Sequence, residues 1–327
     1  MLRARMDPQL VEGLDAFIAA TGPGGLAAID DPVQRRAVFL ELMEAGAAAP
    51  DASVATEDHL VPGPPGAPEL RLRSYRPRDA EDALPAVYYI HGGGMVIGAI
   101  ETEDAITRWL CGAVGCAAVS VEYRLAPENP HPAPVEDCYA GLVWTAANAE
   151  RLGIDPDRIA VYGGSAGGGL AAATAIVARD RGGPPLAFQM LLYPMLDDRS
   201  CTPSCREIDD IGIFDGWASE EGWRALLGER WATDAVDPAA APARSTDLSS
   251  LPPTWIDVGE LDSLRDESVE YGLRLMQAGV ATDLRVYPGV FHAWEFFVPY
   301  ADASARVKAE RVAALRRAFE LELSSAR

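Results

Sequence analysis

Ile159-Ala160-Val161-Tyr162 followed by Gly163-Gly164-Ser165-Ala166-Gly167 is the stretch that decides the fold. The first four residues are a short apolar run that reads as a buried strand, and Gly169 to Ala178 reads as a helix. Between them lies Gly-x-Ser-x-Gly. A chain that passes from strand to helix so abruptly forces the serine into strained dihedrals. Glycines flank it because a β-carbon there would collide with the neighbouring chain. The hydroxyl is thereby lifted clear of the sheet at a helix N-terminus, where the dipole favours negative charge. A phosphate-binding reading fails, because the chain has neither Gly-x-Gly-x-x-Gly nor a Lys-Ser/Thr pair at this turn.

Outward from this turn the same rhythm repeats. Ala86–Ile90, Ala117–Glu122, Phe188–Tyr193, Thr254–Val258 and Leu284–Tyr287 are apolar runs without alternation, each followed by a helical stretch. Such βα units predict a parallel sheet buried on both faces. Leu70 to Tyr75 alternates instead and reads as a half-buried strand. Asp7-Pro8 and Asp31-Pro32 each place a capping residue before a proline at the first helical position, which predicts two helices within the first fifty residues. The first is expected to end at Gly22-Pro23-Gly24-Gly25. The stretch from Asp197 to about Ser250 breaks the βα rhythm and reads as an insertion with a helix near Ala218–Leu227. A long amphipathic helix is expected from about Ala303 to Leu323.

Bulk composition narrows the function. Lys and Arg total 28 against 49 Asp and Glu among 327 residues, a formal charge of −21. A surface so acidic repels phosphate backbones and anionic lipid. Neither nucleic acid nor a membrane is therefore expected as partner, and no run approaches the roughly 18–20 apolar residues of a span. Asp7, Glu12 and Asp15 interrupt any leader-like apolar region, so a cytoplasmic location is expected, with Cys111, Cys116, Cys138, Cys201 and Cys205 as reduced thiols. Cys201 and Cys205 lack a second Cys/His pair nearby, and no metal or organic cofactor is expected.

A serine nucleophile needs a base, and the chain has four histidines. His59 lies in the polar approach to the first strands, and His131 lies between two prolines. His91 opens Gly92-Gly93-Gly94 directly after a strand, where its ring is expected to hold the loop in shape. The three glycines expose backbone N–H groups suited to a developing oxyanion. His292 follows the last strand across the expected turn Pro288-Gly289-Val290-Phe291. Loops at the carboxyl ends of parallel strands share one edge of the sheet, which puts His292 beside Ser165. The acid that orients the base belongs between serine and histidine in this fold. Glu260 and Asp262 both sit on the loop after Thr254–Val258. Asp257 is inside that strand, and Asp266 is in the next helix.

Together these segments resemble the hormone-sensitive lipase family of bacterial esterases, over about residues 70 to 320. The resemblance rests on His91–Gly94, on Tyr123-Arg124-Leu125-Ala126-Pro127-Glu128 with Pro132-Ala133-Pro134, on Gly163–Gly168, on Gly259–Glu267 and on His292. It implies an α/β-hydrolase fold, a mostly parallel central sheet flanked by helices, with a helical cap. It implies a triad of Ser165, Asp262 and His292, and an oxyanion hole made by the amides of Gly93, Gly94 and Ala166. Tyr123–Glu128 is read as scaffolding. The expected organisation is cap helices in 1–48, a catalytic domain in 49–197 and 251–327, and a cap insertion in 198–250. Phe17, Phe214, Trp217, Trp223 and Trp231 are bulky enough to close a pocket over the site. The chain departs from the family at Gly164, where an acidic residue is common, and at Trp294, which is expected to narrow the pocket. The expected activity is hydrolysis of short-chain acyl esters through an acyl-enzyme, with a small ester as partner. An amidase on the same triad and a decayed binding protein are the rivals, and a homodimer is left open.

Overall fold

The computed structural model describes residues 2–21, 25–46, 51–209, 211 and 213–320. Two helices come first, α1 (Pro8–Thr21) and α2 (Pro32–Gly46). Asp7 and Asp31 cap them, each accepting a backbone N–H two residues on, at 2.9 Å. The expected end of α1 at residues 22–25 falls largely outside the described residues. Then follow β1 (Val54–Val61), β2 (Leu70–Pro77), β3 (Leu84–Ile90), α3 (Asp104–Val114), β4 (Ala117–Glu122), α4 (Ala133–Ala147) and the single turn α5 (Ala149–Leu152). The middle of the chain forms β5 (Ile154–Gly164), α6 (Ala166–Asp180), β6 (Phe188–Leu192), α7 (Pro203–Glu207) and α8 (Gly216–Leu227). It closes with β7 (Thr254–Leu261), α9 (Arg265–Gln277), β8 (Thr282–Phe291), α10 (Trp294–Phe297) and α11 (Asp302–Ala318).

The strands form one sheet in the order β1-β2-β4-β3-β5-β6-β7-β8. β2 runs antiparallel to both β1 and β4, and every pairing from β4 to β8 is parallel. Side chains of a strand alternate between faces, so an unbroken apolar run fills two cores at once. Tyr88, Ile90, Ile159 and Val161 enter the core shared with α4, α6 and α9. Their neighbours Val87, Tyr89, Ala160 and Tyr162 enter the opposite core, shared with α1, α3 and α11.

Two expectations are corrected. Pro288-Gly289 is not a turn, because β8 continues to Phe291 and β7 to Leu261, past a register shift between Gly259 and Leu261. The added length is held from outside the sheet, with Asp7 N–H donating to Gly289 O at 2.8 Å. His59 lies within β1, buried, its Nε2 2.8 Å from Ser74 Oγ, and is not in a polar approach. The last helix stops at Ala318, with Phe319 buried behind it, and the expected end near residue 323 lies outside the described residues.

One ion cluster is buried in the second core. Asp257 is a charge inside an apolar strand, which is costly unless paired. Arg311 of α11 meets it with two hydrogen bonds of 2.7 Å, and its third nitrogen pairs with Glu295. Arg311→Met is expected to destabilise the protein by about 3–5 kcal/mol, because two carboxylates stay buried without their cation. Urea unfolding would show this as a lower midpoint at unchanged slope. A wild-type midpoint would refute it.

Candidate active site

All the loops that matter leave the carboxyl ends of parallel strands. β5 ends at Gly164, and Ser165 follows with φ of 56°, a left-handed conformation held by the turn around it. Its N–H donates to Leu192 O and its carbonyl accepts from Gly169 N–H at the start of α6. A β-carbon at Gly163 would lie 2.2 Å from Gly167 O, and one at Gly167 would lie 2.1 Å from Ile90 O. Only glycine fits at either place.

Ser165 Oγ is 2.9 Å from His292 Nε2, and His292 Nδ1 is 2.9 Å from Asp262 Oδ2. Asp262 has no exposed surface, and its other oxygen accepts the Leu264 N–H at 2.9 Å. An ionised Asp262 fixes the proton on Nδ1, which leaves Nε2 free to accept the serine's proton. Glu260 lies elsewhere: its carboxylate pairs with Arg5 and accepts the Gly289 N–H at 2.9 Å. Asp266 accepts Ser204 N–H and pairs with Arg265.

Across from the serine runs the loop after β3. Gly93 and Gly94 have φ of +118° and +61°, and a β-carbon at Gly93 would sit 2.1 Å from Ile97 O. A β-carbon at Gly92 would lie 3.7 Å from that of Ser165, so the loop runs alongside the serine turn. Behind it, Tyr123 O–H donates to His91 O at 2.9 Å, and the Tyr123 and His91 rings stack at 4.2 Å. Arg36 of α2 reaches across to Glu128 and to the carbonyls of Val96 and Ala126. His91 and Tyr123–Glu128 hold the loop in place, the scaffolding role expected of them. His131 is buried, its pKa held below the ordinary value by desolvation.

Several residues here were not anticipated. Tyr193 presents its ring edge to His292 at 4.8 Å, while its hydroxyl donates to Glu295 at 2.7 Å. Glu295 also takes Arg311, so the ion cluster supports the wall beside His292. A β-carbon at Gly164 would meet the Tyr193 ring at 3.2 Å, so this aromatic borders the space beside Gly164.

A cavity of about 210 Å³ opens on Ser165. Phe17 and Phe39 of the first two helices, and Ile213 and Phe214 of the 198–250 segment, are among its walls. Phe214 stacks on His292 at 4.5 Å. Of the five aromatics expected to close the pocket, only Phe17 and Phe214 line it. Trp217 is exposed, Trp223 is buried within the core, and Trp231 lies under the Arg224 guanidinium. Trp294 is also corrected: it is fully buried against Tyr193 and Tyr287 and does not line the cavity.

The mostly parallel sheet with its serine turn between β5 and α6 defines an α/β-hydrolase. The family model described as alpha/beta hydrolase fold matches residues 87–296. The chain is 38% identical to carboxylesterase NlhH of Mycobacterium tuberculosis, over 97% of each chain. It is 36% identical to esterase LipI of the same organism, over 95% of this chain and 94% of the relative. A solved bacterial heroin esterase superposes with a TM-score of 0.91 at 41% identity, covering 98% of this chain and 99% of that one. The chain belongs to the α/β-hydrolase family of hormone-sensitive-lipase-like esterases, and it is a carboxylesterase. No helix among the described residues is long and apolar enough to cross a membrane.

Proposed function

We propose that this carboxylesterase hydrolyses short-chain acyl esters through an acyl-enzyme formed on Ser165. The observation that carries the reading is the unbroken line Ser165–His292–Asp262, two contacts of 2.9 Å, facing a cavity lined mostly by apolar side chains. His292 takes the proton of Ser165 as the hydroxyl attacks the ester carbonyl, and Asp262 stabilises the imidazolium that results. The amides of Gly93, Gly94 and Ala166 receive the oxyanion, which carries more charge in the transition state than in the bound ester. His292 then hands its proton to the departing alcohol, and water repeats both steps on the acyl-enzyme.

Residues 1–48 and 198–250 act as a cap over a catalytic domain of 49–197 and 251–327. Phe17, Phe39, Ile213 and Phe214 support this, since they reach the cavity from those two segments. A small apolar cavity narrowed by these side chains favours acyl groups of roughly two to six carbons. Nitrophenyl esters of rising chain length, ending in emulsified triolein, provide the test. The expected kcat/KM peaks within that range and falls steeply beyond it. A peak at about ten carbons, or a jump in rate at an oil–water interface, would show that the cap does not limit the acyl group.

A further inference from the structure

A half-buried carboxylate, Glu103, touches the site without a place in the reaction above. Glu103 ends the short 3-10 turn Glu101–Glu103 that leads into α3, and its side chain reaches the cavity wall. Oε1 accepts the Gly92 N–H at 2.8 Å, and Oε2 accepts the Tyr89 hydroxyl at 2.5 Å. Its neighbours Glu101 and Asp104 pair with Arg71 and Arg73, whereas Glu103 forms no ion pair among the described residues. A carboxylate drawn partly out of water with neutral donors alone is costly, and desolvation pushes its carboxyl above the ordinary range. What it holds in return is the first peptide of the glycine loop.

That peptide is the fixed point from which the loop is hung. A β-carbon at Gly92 would lie 3.0 Å from Gly164 O and 3.5 Å from Glu103 Oε1, so Gly92 is wedged between the acid and the nucleophile turn. Beyond it the loop closes on itself, with Val96 and Ile97 N–H donating to Gly93 O at 3.1 and 2.9 Å. Gly93 and Gly94 have no side chains to anchor them, so their direction depends on the grip on the His91–Gly92 peptide, where Tyr123 holds the carbonyl and Glu103 the N–H. Tyr89 belongs to β3, which ties the carboxylate to the sheet floor.

We propose that Glu103 is a positioning residue that clamps the Gly92 amide and so aims the Gly93 and Gly94 amides at the oxyanion. This rests on the reading of those amides as the oxyanion hole.

Glu103→Gln and Glu103→Ala in the full chain test it. The glutamine carbonyl still accepts from Gly92 and its amide still meets Tyr89, so kcat should stay within about fivefold. Glu103→Ala removes the clamp and should lower kcat about 10- to 100-fold with little change in KM, less than or comparable to deleting one oxyanion donor. A trifluoromethyl ketone, which forms a tetrahedral adduct on the serine, should lose affinity by the same factor. The carboxylic acid product, a ground-state competitor, should not. Urea midpoints report whether the variants fold. Wild-type kcat in Glu103→Ala, or a fall in kcat with ketone affinity unchanged, overturns the proposal. Wild-type enzyme not labelled at Ser165 by a fluorophosphonate would overturn the reading of the whole site, and this inference with it. Normal labelling with ketone affinity unchanged in Glu103→Ala overturns the inference alone.

Discussion

His292→Ala is expected to lower kcat/KM about 10⁴-fold or more, while His59→Ala and His131→Ala stay near wild type. The scale follows from what the ring does. Without it the serine hydroxyl has no acceptor for its proton at 2.9 Å, and the leaving alcohol has no donor. His59 lies on β1 and His292 follows β8, strands at opposite edges of the sheet. His131 is buried in the turn before α4, where its carbonyl accepts from Arg230 and its N–H donates to Leu226 O. Steady-state kinetics on the three purified variants would decide the matter. A loss in His131→Ala as deep as that in His292→Ala, with folding unchanged, would move the base elsewhere.

Asp262→Asn should cost about 10⁴-fold in kcat, because the geometry survives while the ring's tautomer does not. An ionised Asp262 can only accept, so it holds the imidazole proton on Nδ1. An amide turned to donate there would force the proton onto Nε2, the nitrogen that faces Ser165. Glu260→Gln, two residues earlier, is expected to remain within a few fold. Its carboxylate serves Arg5 and the Gly289 amide, which brace the N-terminal segment against β8. Collapse of Glu260→Gln alongside an active Asp262→Asn would transfer the role.

The parts of the site that could be read directly are those built from neighbouring residues. Gly163–Gly167 states a strand, a tight turn and a helix within a few positions. The crowding that demands glycine at 163 and 167 is then a local consequence. His91–Gly94 is readable for the same reason. Asp257 gave one longer-range signal, since a charge in the apolar run Trp255-Ile256-Asp257-Val258 requires a buried partner. It did not reveal which partner. Arg311 sits among the charged residues of α11, where nothing local sets it apart from the exposed ones. Glu103 is hidden in the same way within Glu101-Thr102-Glu103-Asp104, whose other carboxylates pair with Arg71 and Arg73 of β2.

Order along the chain therefore determined the α/β class, the serine turn, the glycine loop and the edge of the sheet where His292 would stand. Each follows from hydrophobic period and turn chemistry, which act over short spans. The family resemblance pointed to Asp262, but residue order alone left Glu260 and Asp262 on one loop, and tertiary structure set Asp262 against the ring while turning Glu260 to Arg5. Glu260 is drawn to Arg5 of the N-terminal segment and to the Gly289 amide, partners far from it along the chain that leave no local trace. Tertiary structure also decided that Phe17 and Phe214 reach the cavity while Trp223 and Trp294 sink into the cores. Apolar side chains are driven out of water without direction, so their type predicts that they are buried. Only the packing of one element on another says against what.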